Sequence, residues 1–238
     1  MPAFAAVCGL LTALILFSAK APARAAEPFV IDDTAVIERG VCKVEAGTRA
    51  RSDGRDTWLM PACNLFLDVE VQLGRAATLP DESVRSSAHV VQVKGAWREI
   101  DRDGYGLGWV IGSEIRRHPA PTERRVREHG ALLLASYPVL PDRLTVHANA
   151  GARWDRDEKR GGVAGGLQAE LEIIRRVALL AEIYATSRAR RGLQAGVRLT
   201  LVPDHVDLFF TRGGDDADEN GRRYWAVSVE LVAPKVTR

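Results

Sequence analysis

The side chains best placed to do chemistry are His147 and Asn149, which share one face if their segment is a strand. A strand histidine beside a serine can act as the general base of a lipid hydrolase. Neither same-face neighbour of His147 is a serine, so a nucleophile would have to come from another strand, with Ser136 and Ser187 as candidates. A triad is defined by geometry, which spacing alone does not supply. We therefore predict no catalytic residue and keep a lipid hydrolase with His147 as base as an alternative.

Patterns typical of metal and cofactor sites are missing from the sequence. No two of the five histidines have ligand spacing, and the acidic run 215–221 lacks the ligand positions of an EF-hand. The glycine-rich run 161–166 begins an apolar segment and does not resemble a phosphate-binding loop. We expect no metal and no cofactor, and we interpret 215–221 as a surface loop that divalent ions could connect to lipopolysaccharide.

Ionic side chains alternate with apolar ones along many segments, which gives each such strand one oily face and one ionic face. The ionic faces together could line a water-filled passage and set its ion selectivity, or their charges could pair and close it. Both interpretations stay open. The predicted lumen-lining residues are Lys43, Glu45, Arg49, Glu70, Lys94, Arg98, Glu114, His147, Arg153, Glu170, Glu182, Arg198 and Glu230.

This alternation repeats about a dozen times between residues 42 and 232, with turns between the repeats. A soluble sandwich would bury the oily faces against a second sheet, whereas a membrane barrel would expose them to lipid. Segments 122–136 and 168–182 also fit a helical period, but the surrounding pattern favours strands. The predicted strands are 42–51, 57–63, 65–73, 88–98, 105–115, 131–137, 144–154, 162–173, 177–187, 192–201, 206–212 and 224–232.

The even strand count and the alternation of mostly long with short connections are typical of bacterial outer-membrane barrels. Such barrels carry aromatic side chains at the two bilayer interfaces. Because six aromatic residues fall near predicted strand ends, we expect them at these interfaces. They are Trp58, Trp97, Tyr105, Trp154, Phe210 and Trp225.

The two ends of the chain indicate export. An apolar stretch followed by Ala23-Arg24-Ala25 predicts a signal peptide over residues 1–25, then a periplasmic segment over 26–41 and a tail over 233–238. Cleavage removes two of the 33 basic side chains and none of the 31 acidic ones, so the mature chain is neutral. A neutral chain argues against nucleic acid as a partner.

Two features near the first strand each leave alternatives open. Cys42 and Cys63 are opposite one another if a hairpin turns at Ser52 and Asp53, which predicts a disulfide; two free thiols are the other interpretation. The acidic pair at 32–33 could fold inward as a small plug, or its segment could be a simple periplasmic tether.

Three motifs carry a resemblance to a known group. They are the segment 28–40 with Lys43-Val44-Glu45-Ala46, the stretch 58–64, and Val202-Pro203-Asp204. These resemble largely uncharacterised proteobacterial outer-membrane proteins sometimes grouped with phenol-degradation-associated, transporter-like barrels. The resemblance implies an outer-membrane barrel, with a channel for small hydrophobic or aromatic compounds, and no catalytic residues. The chain departs from such barrels because it does not end on an aromatic residue.

The sequence therefore predicts an all-β, antiparallel, up-and-down transmembrane β-barrel of about 12 strands in the outer membrane of a Gram-negative bacterium. Its expected function is a porin-like channel for small solutes or a passive structural barrel. We predict that charge reversal at Glu70 or Arg198 changes ion preference. Expected partners are outer-membrane lipid and lipopolysaccharide, the barrel-assembly machinery and a small-molecule solute. A soluble periplasmic β-protein is the remaining alternative.

Overall fold

The computed structural model describes residues 30–52, 54–64, 69–80, 86–100, 104–117, 125–157, 159–186, 190–215 and 222–234. The predicted signal peptide, most of the acidic loop 215–221, Ser187 and residues 235–238 lie outside these ranges. Within the described residues, no helix is long and apolar enough to cross a membrane. The twelve strands are β1 Val41–Arg51, β2 Gly54–Asn64, β3 Val69–Pro80, β4 Ser86–Arg98, β5 Gly106–Arg117, β6 Arg125–Leu140, β7 Leu144–Asp155, β8 Arg160–Ile174, β9 Val177–Thr186, β10 Arg190–Val202, β11 Val206–Asp215 and β12 Arg222–Val232.

Each strand pairs antiparallel with its sequence neighbours, and β1 pairs with β12, so the sheet closes into a barrel. This confirms the predicted fold class and strand number. The segment 168–182 forms the last seven residues of β8, a turn at Arg175 and Arg176, and the start of β9. Its helical propensity is overridden because both strands form ladders with their neighbours, and propensity is a weak prior against such pairing.

The strands extend beyond their predicted ends, mostly at the end of the barrel opposite the chain termini. At that end β1 continues to Arg51, β2 begins at Gly54, and β6 begins at Arg125 rather than at residue 131. Polar sequence that was predicted as loop therefore continues the strands, and the predicted long connections are correspondingly short. We call this end the loop end, and the opposite end the terminal end.

Apolar side chains cover the outside of the barrel, and polar side chains fill its inside. Leu73 is 56% exposed and Val163 is 68% exposed, whereas Glu182 and Gln194 are each 1% exposed. A protein folded in water buries its large apolar residues and exposes its charges, so this distribution is reversed. The reversed distribution matches a barrel surrounded by an apolar medium.

The prediction for Trp58 is wrong, because its side chain lies inside the barrel rather than at an interface. The β1–β2 register pairs Gly47 with Trp58, which turns the indole inward over the glycine. Its Nε1–H donates to Glu45 Oε1 at 2.7 Å, and the ring packs in a buried cluster with Met60 and Ala76. The other five aromatic residues are exposed: Trp97, Tyr105, Trp154, Phe210 and Trp225.

The predicted disulfide is present between Cys42 and Cys63, which are directly opposite in the β1–β2 register. The two cysteines lie on the outward face near the terminal end. The bond links strands already paired along eleven residues of each. It therefore closes the hairpin at the end opposite its turn.

We expect the Cys42→Ser/Cys63→Ser variant to lose about 3 kcal/mol in its free energy of unfolding, because the bond closes a segment of 21 residues in the unfolded chain. Urea unfolding in detergent micelles, followed by far-UV circular dichroism, measures this change. Reducing the wild-type protein should produce the same shift and should leave the variant unchanged. Equal urea midpoints for oxidised wild type and variant would contradict the prediction.

Candidate functional site in the barrel lumen

Residues 30–38, which precede β1, lie inside the barrel at its terminal end, and we call them the plug segment. The backbone N–H groups of Val30 and Ile31 donate to the Glu182 carboxylate at 2.9 and 3.1 Å. The Ile31 side chain packs against the lumen wall at Gly166. A Cβ at position 166 would clash with the Cδ1 of Ile31. Thr34 is 1% exposed. Residues 30–38 therefore fold inward as a plug.

Side chains from β6 and β7 hold the backbone of the plug segment. Asn149 bonds Asp32 twice, since its Oδ1 accepts the Asp32 N–H and its Nδ2 donates to the Asp32 carbonyl, both at 2.8 Å. Ser136 Oγ accepts the N–H of Thr34 at 3.1 Å. The same hydroxyl lies 2.8 Å from His147 Nδ1. The candidate pair for hydrolysis is thus brought together, but it is buried beneath Thr34.

Lys94 on β4 forms the ionic contact between the barrel and the plug segment. Its Nζ lies 2.6 Å from Asp32 Oδ1 and 2.8 Å from Asp33 Oδ1. Burial alone would raise the pKa of Asp33, but the neighbouring Lys94 ammonium outweighs it and lowers that pKa to about 2. The Asp33 carboxylate therefore stays ionised at neutral pH, and its hydrogen bond with the Lys94 ammonium is charge-assisted.

Two further ion clusters line the same half of the lumen. Lys43 lies 3.3 Å from Glu70 and 3.5 Å from Glu230. Arg198 lies 2.7 Å from Glu170 and also pairs with Glu172. Because the clusters are fixed on strands of one closed sheet, they hold charges of both signs at defined positions on the lumen wall.

A cavity of about 180 Å³ remains beside the plug segment. The barrel wall contributes more acidic than basic groups to it, so its potential favours cations. The wall residues that line the cavity are Lys43, Glu45, Glu70, Gln72, Gln92, Lys94, Gln168, Glu170, Leu180, Arg198, Asp207, Phe209 and Glu230. Among the described residues, no group of three His, Cys, Asp or Glu side chains is placed to hold a metal.

The other predicted lumen residues lie nearer the loop end. Arg49 is buried with its guanidinium 4.4 Å from the Tyr224 ring centroid. Glu114 pairs with Arg116 on β5, and Arg153 pairs with Glu128 at 2.9 Å. These contacts place paired charges along the wall.

The prediction that Arg98 lines the lumen is wrong, because its side chain lies outside the lumen. The β4–β5 ladder shifts register between Ala96 and Arg98, which pairs Arg98 with outward-facing Leu107. The guanidinium then lies 4.3 Å from the exposed Tyr105 ring. Strict alternation along β4 predicted an inward side chain, and the irregularity reverses that direction.

This geometry defines a class of protein, the closed antiparallel barrels of twelve strands with a polar, partly filled lumen. The family model described as "uncharacterised conserved protein UCP029691" matches residues 13–229. The chain belongs to that family. No curated protein matches the chain.

Solved structures with the same fold include channels and an enzyme. The COG4313 outer membrane channel from Pseudomonas putida F1 is 11% identical with a TM-score of 0.60, covering 88% of this chain and 100% of that chain. KdgM porin is 10% identical with a TM-score of 0.57, covering 79% and 98%. Outer membrane phospholipase A from Escherichia coli is 11% identical with a TM-score of 0.51, covering 80% and 92%. Identities this low show the fold alone.

Proposed function

We propose that the protein is an outer-membrane channel for small polar solutes and that the plug segment holds it closed. The observation that carries the proposal is the pairing of Asp32 and Asp33 with Lys94 inside the lumen. These contacts are noncovalent and belong to a segment that follows the predicted cleavage site. Such a segment can leave the lumen without breaking any strand pairing, because β1 begins only at Val41.

Membrane insertion is supported by the apolar outside of the barrel. A soluble sandwich would have to cover the exposed belt formed by residues such as Leu133, Ile183 and Leu193, each more than half exposed. An even number of strands leaves both termini at one end, which in bacterial barrels faces the periplasm. The predicted signal peptide supports export to the same compartment.

The solute class follows from the lumen wall. The resemblance to phenol-degradation-associated barrels implied small hydrophobic or aromatic compounds, whereas the cavity is lined mainly by charged and amide side chains. Such a wall favours hydrated or charged solutes. The KdgM porin, which shares the fold, has been solved in complex with disordered oligogalacturonate, a polar saccharide.

Liposome swelling tests the proposal with the wild-type protein. Because the plug segment holds the wild type mostly closed, we expect small neutral sugars and amino acids to enter its liposomes slowly, but still faster than protein-free ones. We expect cationic solutes to enter faster than anionic ones of equal size. Protein that was denatured before reconstitution is the control. Swelling no faster than in protein-free liposomes, for the wild type and for variants with a weakened plug segment, would contradict the proposal.

Lipid hydrolysis is the second candidate, and the 2.8 Å contact between Ser136 and His147 is the observation that favours it. We assign the pair to holding the plug segment, because Ser136 is 1% exposed, faces the lumen and binds Thr34. The wild-type protein should not hydrolyse phospholipid in mixed micelles above background. Hydrolysis by the wild type that a His147→Ala variant loses would instead establish the enzyme.

A further inference from the structure

Among the strand residues whose side chains the structure describes, the outward positions carry charges of one sign only. Every aspartate and glutamate among them occupies an inward position, according to the strand registers. Arginines occupy outward positions at several strands, and most of them are close to the loop end. The exposed outward arginines are Arg55, Arg75, Arg98, Arg117, Arg191, Arg212 and Arg223.

Three of these arginines are grouped around one tryptophan. Arg55 pairs with Ala50, Ala50 pairs with Trp225, and Trp225 pairs with Arg212, so these residues form one outward row across four strands. Strand spacing places the two arginines of this row about 14 Å apart at Cα. Arg223 lies two residues from Trp225 on the same face. We call Arg55, Arg212, Arg223 and Trp225 the arginine patch.

The geometry of the arginine patch is partly fixed. The Arg212 guanidinium lies over the aromatic face of Trp225, 4.9 Å from the ring centroid, where a cation–π contact holds it. A guanidinium held in this way keeps donors free at its edge for a planar or tetrahedral oxyanion. The exposed arginines on either side of Trp225 would extend the same anion-binding surface.

The position of the arginine patch indicates which anion it meets. Trp225 is 62% exposed, and apolar Phe210 and Val227 continue from it toward the middle of the barrel. Exposed tryptophan at the edge of an apolar belt marks the headgroup level of a bilayer. In the outer membrane, the loop end faces the leaflet whose lipids carry phosphorylated sugars.

We infer that the arginine patch binds the phosphate groups of lipopolysaccharide in the outer leaflet. The inference rests on the outer-membrane placement in the proposed function and does not depend on solute passage. Guanidinium groups bind phosphate through paired charge-assisted hydrogen bonds. Because no acid lies at an outward position of the described strands, the arginines of the patch meet no competing carboxylate there.

Native mass spectrometry of the detergent-purified protein tests the inference with bisphosphorylated lipid A as the probe. The Arg55→Gln/Arg212→Gln/Arg223→Gln variant should bind lipid A at least about tenfold more weakly than wild type, since it loses several charge-assisted hydrogen bonds. The matched control is Arg143→Gln/Arg175→Gln/Arg176→Gln, which removes the same charge from turns at the terminal end and should bind as wild type does. Faster electrophoretic migration before boiling verifies that each variant is folded.

Two further probes separate the possible sources of phosphate. Lipid A without phosphates should bind at least about tenfold more weakly than the bisphosphorylated form, and phosphatidylglycerol should not compete at equal concentration. Equal binding by the two triple variants, or by lipid A with and without phosphates, would overturn the inference. Effective competition by phosphatidylglycerol would overturn its assignment to lipopolysaccharide. Liposome swelling on the same preparations reports on the proposed channel separately.

Discussion

Replacing Asp32 and Asp33 together with asparagine should raise the open fraction of the reconstituted protein about thirtyfold. Both carboxylates contact Lys94 Nζ, and both are partly exposed, so asparagine fits without a steric change. Losing two charge-assisted hydrogen bonds, partly replaced by hydration of the lysine, weakens retention of the plug segment by about 2 kcal/mol. Single-channel recording in planar bilayers measures the open fraction directly.

The matched control for this variant is Asp142→Asn/Asp204→Asn. It removes the same charge at the same end of the barrel, from turn positions whose φ of 61° asparagine tolerates. The control should behave as the wild type does. Equal open fractions for wild type and the Asp32→Asn/Asp33→Asn variant would show that the plug segment does not control passage.

Replacing Arg198 with glutamate should make the open channel strongly selective for cations, raising the cation-to-anion permeability ratio about fivefold or more. Arg198 is one of three basic groups on the cavity wall and pairs with Glu170 and Glu172. Reversing its charge leaves a cluster of carboxylates on the cavity wall, and charges act strongly on an ion at short range. Reversal potentials under a potassium chloride gradient measure the ratio, in the background that weakens the plug segment.

Glu70→Lys should move the ratio in the opposite direction, because it adds positive charge beside Lys43. Arg176→Glu, in a turn outside the cavity, is the control for charge alone. Unchanged selectivity after both lumen reversals would exclude these residues from the ion path. Cold electrophoresis of each variant separates an altered channel from an unfolded one.

The sequence predicts the barrel well because its strongest signal is local. Alternation over seven or more residues marks the two faces of each strand, and the closed ladder uses that pattern at all twelve strands. The disulfide between Cys42 and Cys63 was also predictable, since a hairpin register fixes which residues are opposite. Strand ends were less predictable: β6 begins in polar sequence near Arg125 that reads equally well as a helix or a loop.

The two side-chain errors have separate physical causes. Trp58 appeared to be an interfacial aromatic, but the hairpin register places it inward, where Gly47 leaves space for its ring and Glu45 accepts its N–H. The inward position of Trp58 could have been predicted, because the hairpin register that predicts the disulfide also pairs Trp58 with Gly47. Arg98 could not be placed in this way, because the irregularity in β4 depends on pairing with β5.

The plug segment is harder to predict, because the contacts that hold it join residues far apart in sequence. Asp32 meets Lys94 across 62 positions and Asn149 across 117. Periodicity detects the strands that supply these partners, but it does not indicate that residues 30–38 enter the space between them. The Asp-Asp pair ahead of the first strand was the one local signal, and such a segment is more often a simple tether.

Fractionation of the cell envelope combined with cold electrophoresis tests whether the barrel is inserted in the outer membrane. We expect the protein to sediment with the outer membrane and to migrate faster before boiling than after it. A closed barrel keeps its structure in mild detergent because every strand has two hydrogen-bonded neighbours. A protein that is recovered without detergent and shows no shift on boiling would contradict insertion in the membrane, and the channel and the arginine patch would lose their basis with it.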